Sequence, residues 1–152
     1  MFHAAPIPLE NGSIILPGNW GRIVRAIGEE HPKWKMEQVF EAVRAEKFSD
    51  KPARLESAFC IPTEEGLRFY LEHASKSKFP AVLFEVELVD PNASQHLTDY
   101  NLIDTLKEGQ THEANAVRYW EGKFRYTFKD KPGFVCEEIL TLSPLRIVRR
   151  LI

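Results

Sequence analysis

Two adjacent carboxylates, Glu137 and Glu138, stand inside an apolar run, Phe134 to Leu142, that reads as a strand. Side chains alternate across a strand, so one of the pair meets solvent and the other is directed to the opposite face. A carboxylate turned away from water needs a cation or hydrogen-bond donors there. Arg54 lies just before a second strand candidate, Ser57 to Ile61. Its guanidinium forks well onto phosphate oxygens, or, in the plainer reading, forms a surface pair with Glu56. Phe59 and Tyr70 follow at a separation of eleven residues; taken singly, each reads as a core residue. Several familiar sites are excluded. Gly18 and Gly21 lack the Gly-Lys-Ser/Thr that completes a phosphate loop. The five histidines, His3, His31, His73, His96 and His112, are scattered without metal-ligand spacing. No Gly-x-Ser-x-Gly elbow supports a serine nucleophile.

The elements that must position these groups follow from periodicity. The opening Met-Phe-His-Ala-Ala is a strand stopped by Pro6 and Pro8. Pro17 to Gly21 is a turn whose Asn19 and Trp20 could also line a pocket. Arg22 to Glu30 carries Ile23, Ala26 and Ile27 at helical spacing, which predicts a short helix with that face inward. Met36, Val39, Phe40 and Val43 predict the clearest helix. Thr63 caps a third, with Leu67, Phe69, Tyr70 and Leu71 inward and an end near Lys76. Ala81 to Val89 is the strongest strand, ended by the Asp90-Pro-Asn turn. Leu102 to Leu106 and Ala114 to Trp120 read as short helices, with Tyr119-Trp120 as a core anchor. The strands Phe134 to Leu142 and Leu145 to Ile152 form a hairpin-like pair about Ser143-Pro144, with Arg146, Arg149 and Arg150 on its wet face. This irregular mixture predicts one α+β domain over residues 1–152 rather than a doubly wound sheet.

The totals agree with a compact domain. The 152 residues are 43% hydrophobic and carry 20 Lys plus Arg against 22 Asp plus Glu, for a formal net charge of -2. That balance excludes wholesale phosphate neutralisation, though a local basic groove stays open. No apolar run reaches the roughly 18 residues of a membrane span, and Met1 to Glu10 lacks the pattern of a secretory signal. Cys60 and Cys136, far apart, read as buried reduced thiols, which predicts a cytoplasmic protein.

Three of these segments in order, Phe2-His-Ala-Ala5, Ser57-Ala-Phe-Cys-Ile followed by Tyr70, and Glu137-Glu-Ile-Leu-Thr-Leu, resemble the His, Tyr, Glu arrangement of diphtheria-toxin and poly(ADP-ribose) polymerase type ADP-ribosyltransferases. In register with that family's motif the late-strand acid is Glu138. The longer stretches Gly12 to Arg22, Arg54 to Phe59, Phe84 to Leu88, Tyr119 to Gly122 and Ser143 to Val148 resemble an uncharacterised bacterial domain family associated with small phage and bacterial enzymes of this kind.

The resemblance implies a split, strongly bent β-sandwich with surrounding helices, with NAD as the only cofactor. Its activity would be mono-ADP-ribosyl transfer to a macromolecular target, protein or nucleic acid, in a toxin or effector setting. Glu138 would stabilise charge developing at the ribose, as in glycoside chemistry. Phe59 and Tyr70 would sandwich the nicotinamide cation. His3 would hold a ribose hydroxyl, Ser57 would line the same pocket, and Arg54 would meet the pyrophosphate. The sequence departs from the motif at Ala5 and Leu67, where the family has hydroxyl residues, and at Phe59, where it has Tyr. Two alternatives stand beside this reading. One is NAD-dependent RNA chemistry, with Arg22, Arg54 and Arg118 around the cleft. The other is a binding or inhibitor protein that keeps the fold without the chemistry.

Overall fold

A computed structural model of the chain describes residues 1–74, 81–103, 106–122 and 136–151. In chain order the strands and helices are β1 (Phe2–Ala5), β2 (Ile14–Ile15), α1 (Asn19–Ile27), α2 (Trp34–Lys47), β3 (Ala58–Cys60) and α3 (Glu64–Ala74). There follow β4 (Val82–Leu88), β5 (Gln95–Asp99), α4 (His112–Glu121), β6 (Glu137–Thr141) and β7 (Leu145–Arg150). Short 3-10 turns cover Gly28–Glu30, Arg54–Glu56 and Tyr100–Ile103. The class is mixed α+β, with every strand pairing antiparallel. A four-stranded sheet has the order β1-β4-β7-β2 and a three-stranded sheet the order β3-β6-β5. Phe2 and Ile61 exchange two backbone hydrogen bonds of 2.8 Å, and this isolated bridge joins β1 to the end of β3. The surface formed by the two sheets is therefore curled.

The expected closing hairpin is overturned: β6 pairs with β3 and β5, whereas β7 pairs with β4 and β2. The corner between them sends its backbone groups to different sheets. Leu142 donates its N–H to the Ser94 carbonyl beside β5, while the Pro144 carbonyl accepts from Val89 at the end of β4. Buried Ser143 fixes the turn, accepting the Asp90 N–H at 2.8 Å and donating to its neighbour's carbonyl at 2.7 Å. Pro144 has no N–H with which to start a hairpin ladder. The Arg146 and Arg149 side chains do face outward, paired with Glu87 and Glu85.

Two other expectations change. The Ile23, Ala26, Ile27 face of α1 is exposed, and the helix instead buries Gly21 and Val24. Strand β5 has no counterpart in the apolar pattern, because it turns His96 and Thr98 inward and leaves Leu97 outside. The parts of expected elements at residues 75–76, 104–105, 134–135 and 152 lie outside the described residues.

Helices α2 and α4 pack on the three-stranded sheet through Met36, Phe40, Ala116, Tyr119, Trp120 and Leu140. The polar atoms of this layer are satisfied across elements. Trp120 donates its indole N–H to the Phe40 carbonyl at 2.8 Å. His96 and Thr98 both donate to the Tyr119 carbonyl, at 2.8 and 2.7 Å. A second core gathers Ala5, Ile15, Phe84, Val86, Leu145 and Ile147 of the four-stranded sheet with Ala58 and Cys60 of β3. Helix α1 is held against the 3-10 turn Arg54–Glu56 because Gly21 has no side chain. A Cβ at this position would lie 1.9 Å from the Leu55 carbonyl oxygen, a backbone atom that cannot rotate aside.

In an ordinary helix interior, Gly→Ala adds stability through helix propensity. Here the overlap reverses the sign. Gly21→Ala is expected to destabilise the fold by at least about 2 kcal/mol, lowering the melting temperature by roughly 5 °C or more. Thermal unfolding followed by circular dichroism checks this; a melting point equal to or above wild type would refute the close packing.

Candidate functional site

Past the Phe2–Ile61 bridge the strands β1 and β3 are linked by a side chain. His3 Nδ1 lies 2.8 Å from the Phe59 carbonyl oxygen. A carbonyl only accepts, so Nδ1 carries the proton, and burial lowers the His3 pKa. The neutral ring thus keeps Nε2 as a bare acceptor. Beside this link opens a cleft of about 740 Å³, lined by His3, Arg54, Ser57, Phe59, Tyr70 and Glu138. All six residues selected from the sequence border one cavity. Trp20, from the first turn of α1, and Ala5, from β1, border it as well.

Of the two adjacent acids, Glu138 is the inward one, 6% exposed, while Glu137 is half-buried. Alternation along β6 produces this difference. The Glu138 carboxylate meets two donors: Tyr119 gives its hydroxyl proton to Oε2 at 2.8 Å, and Arg54 Nη1 donates to the same oxygen at 3.2 Å. Arg54 also donates from Nε and Nη2 to Glu37, at 3.0 to 3.1 Å, and from Nη1 to the Tyr119 hydroxyl. Trp20 completes the Glu37 carboxylate with an indole N–H at 2.7 Å. One cation thus sits between two buried carboxyl groups. Burial pushes the Glu138 carboxyl above its usual range, against the pull of Arg54 and the Tyr119 hydrogen bond. Burial alone would weaken the Arg54 cation, but Tyr119, Glu37 and Glu138 hold it well above the ordinary value.

The expectation for Arg54 needs revision. Its guanidinium is 4% exposed and its fork is occupied by Glu37 and Glu138, so it is not an open phosphate hook. Nor does it pair with Glu56, which meets Arg25 instead. Phe59 carries the Arg54 guanidinium over its ring, 4.9 Å from the centroid, so that face of the ring is covered. Tyr70 packs edge-on to Tyr100 at 5.3 Å. Ser57 is buried and donates its hydroxyl to the Ala53 carbonyl at 2.7 Å, which leaves its oxygen lone pairs. Arg22 borders the cleft, but Arg118 is exposed on α4 and does not. Leu67, at the other departure from the motif, belongs to the core beneath α3.

Glu37 and Tyr119 are the functional surroundings that sequence reading missed. Tyr119 reads as a core anchor and is one, fully buried, yet its hydroxyl organises Glu138. Glu37 had a visible signal: it stands one residue from Met36 and three from Phe40, on the inward stripe of α2. An acid on such a stripe calls for a cation, and Arg54 is that cation.

Among the described residues no group of three or more His, Cys, Asp or Glu could hold a metal ion, and no helix is long and apolar enough to cross a membrane. Cys60 and Cys136 are buried free thiols, each pushed by burial to a pKa of about 12. The model of a family described as a protein of unknown function, DUF2441, matches residues 17–135. The matched stretch contains Glu37, Arg54, Ser57, Phe59, Tyr70 and Tyr119, and leaves His3 and Glu138 in the flanking strands. No curated protein matches the chain.

Asp99, at the end of β5, is a further buried acid, 1% exposed. Its Oδ1 accepts the Asn101 N–H at 3.0 Å, while Oδ2 has no hydrogen-bond partner among the described residues. Burial raises its pKa to about 6, against the backbone hydrogen bond from Asn101. A folded pKa above the unfolded one makes a contribution that is full at low pH, falls as pH rises from about 4, and is gone above about 6. Asp99→Asn is therefore expected to stabilise the protein at pH 7 by roughly 3 kcal/mol at most and to flatten its stability between pH 4 and 7. Denaturant titrations at several pH values test this; an unchanged slope would show that Asp99 does not titrate in that window.

Proposed function

Since the chain belongs to the DUF2441 family, whose description assigns no activity, we propose from its cleft that it binds NAD and transfers ADP-ribose to a macromolecular target, releasing nicotinamide. One observation carries the reading: His3, Phe59, Tyr70 and Glu138, selected by their resemblance to the His, Tyr, Glu arrangement, border a single cleft with a buried carboxylate at its floor. We also read the two sheets, joined at Phe2–Ile61 and parted beyond it, as the split β-sandwich of ADP-ribosyltransferases.

The residues fit such a ligand on electrostatic grounds. Two carboxyl groups, Glu37 and Glu138, share the single Arg54 cation, an arrangement that suits a further cationic group, and the nicotinamide ring of NAD is a flat cation. Phe59 and Tyr70 supply aromatic surface to it, with Phe59 limited to the face not covered by Arg54. In the transfer the ribose–nicotinamide bond breaks with its electron pair leaving on nicotinamide, and the acceptor forms the new bond and gives up a proton. Glu138 faces the positive charge that grows at the ribose carbon. Tyr119 and Arg54 hold that carboxylate in place without themselves reacting. His3 Nε2 accepts from a ribose hydroxyl, its tautomer set by the Phe59 carbonyl.

A second reading has specific support. The Arg54 contact to Glu138 damps the carboxylate, and Ala5 offers no hydroxyl, which suits a protein that binds the same ligand without turning it over. The two readings part on one assay. Wild type should release nicotinamide from NAD, Glu138→Gln should lose about 100-fold or more, and Glu137→Gln should stay within about twofold. Loss in Glu137→Gln alone would reverse the register. A raised melting temperature with NAD but no release, even with cell extract as acceptor, would favour the binding protein. If NAD gives neither nicotinamide release nor a raised melting temperature, the NAD reading is abandoned.

A further inference from the structure

Arg54 being occupied, the cleft has two other cations. Arg22, in the first turn of α1, and Lys33, just before α2, both border it. Among the described residues neither has a carboxylate partner. Arg22 reaches only neutral oxygens: the Pro17 carbonyl at 3.4 Å and the Asn19 side-chain oxygen. Lys33 donates to the Ile103 carbonyl at 3.0 Å. Beside Asn19, the wall includes Ile7, Ile14, Leu16 and Ile23, all about half exposed. The cleft is therefore polarised, with the Glu138 carboxyl at its buried floor and two cations without carboxylate partners on its wall.

We infer that Arg22, assisted by Lys33, is the anion-binding element of this cleft and holds the phosphates of a two-ended ligand whose cationic end lies at Glu138. The identity of the ligand as NAD rests on the functional reading above; the position of the anion site does not. A guanidinium whose present acceptors are neutral loses little in exchanging them for phosphate oxygens, and it gains charge-assisted, forked hydrogen bonds. Arg54 would have to abandon two buried carboxylates to do the same, leaving both without their cation.

The test is binding rather than turnover. ADP-ribose, which keeps the phosphates and lacks the ring cation, and N-methylnicotinamide methylated on the ring nitrogen, which is the ring cation alone, are titrated by calorimetry into wild type, Arg22→Ala, Arg22→Lys and Lys33→Met. Arg22→Ala should weaken ADP-ribose about tenfold or more, Arg22→Lys less, and neither should change N-methylnicotinamide. Arg22 is exposed, so the melting temperature should hold within about 2 °C and a lost affinity cannot be blamed on unfolding. ADP-ribose binding that is equal in wild type and Arg22→Ala overturns the inference while leaving the NAD reading intact. Arg22-dependent ADP-ribose binding with no response to N-methylnicotinamide or NAD supports the anion site and removes the NAD reading. Wild type that binds neither probe overturns both.

Discussion

The whole three-stranded half of the molecule is organised by the need to satisfy one buried guanidinium. Arg54 comes from a 3-10 turn and its partners come from α2, α4 and β6, so four separated stretches of chain meet around it. Removing an ion from water costs several kcal/mol even after relaxation, and attraction offsets this only when the donors and acceptors are well arranged. That requirement fixes more than a salt bridge. Tyr119 must point its hydroxyl between Arg54 and Glu138, which sets the rotation of α4, and the carbonyl of the same residue is pinned by His96 and Thr98 of β5. Glu37 must reach Arg54 and Trp20 together, which sets α2 against α1. The floor of the cleft is thus built from the network that holds Arg54 inside.

The same network marks the boundary of what can be read from the residues alone. Helices α2, α3 and α4 and the strands β1, β3 and β4 follow from period and punctuation, since apolar burial dominates their energetics. Alternation on β6 also makes one of Glu137 and Glu138 an inward acid before any coordinates are seen. The partner of that acid is not legible in this way. Arg54 and Glu138 are 84 residues apart, and no local pattern relates them. An arginine beside a strand is equally suited to phosphate, to a surface acid or to a buried one; only the tertiary arrangement chooses. Hence the selected residues do share a cleft, while the work expected of Arg54 passes to the interior.

The strands that periodicity misplaced fail for related reasons. Strand β5 buries His96, Thr98 and Asp99 and exposes Leu97, which inverts the usual apolar-inward alternation. It can do so because the α4 backbone supplies an acceptor for the two inward donors. The turn after β6 looks like a hairpin in sequence because two apolar strands flank Ser-Pro. Buried Ser143 instead commits the chain to a change of sheet, with hydrogen bonds to Asp90 on one side and its own neighbour on the other. On α1 the misreading is one of direction. Its apolar face lies outside, and the contact that holds it is the absence of a side chain at Gly21. Polar satisfaction and close approach decided all three, and neither leaves a hydrophobic signature.

Stability and function pull against each other at Glu138. A neutral side chain there would relieve the crowding of two carboxylates on one guanidinium; burial is what chiefly raises the Glu138 pKa, and the Glu37 charge adds to it. A core chosen for stability alone would pair Arg54 with Glu37 and fill the Glu138 position with an apolar residue, since well-packed apolar replacements of buried ionic groups are often neutral or stabilising. The second acid makes sense if something outside the core uses its charge. In the proposed function the cleft offers that use, because Glu138 is the member of the network that borders both Arg54 and the cavity. A strained carboxylate next to an aromatic wall is costly as architecture and reasonable as a binding device, which is why the functional reading rests on Glu138 rather than on the better-satisfied Glu37.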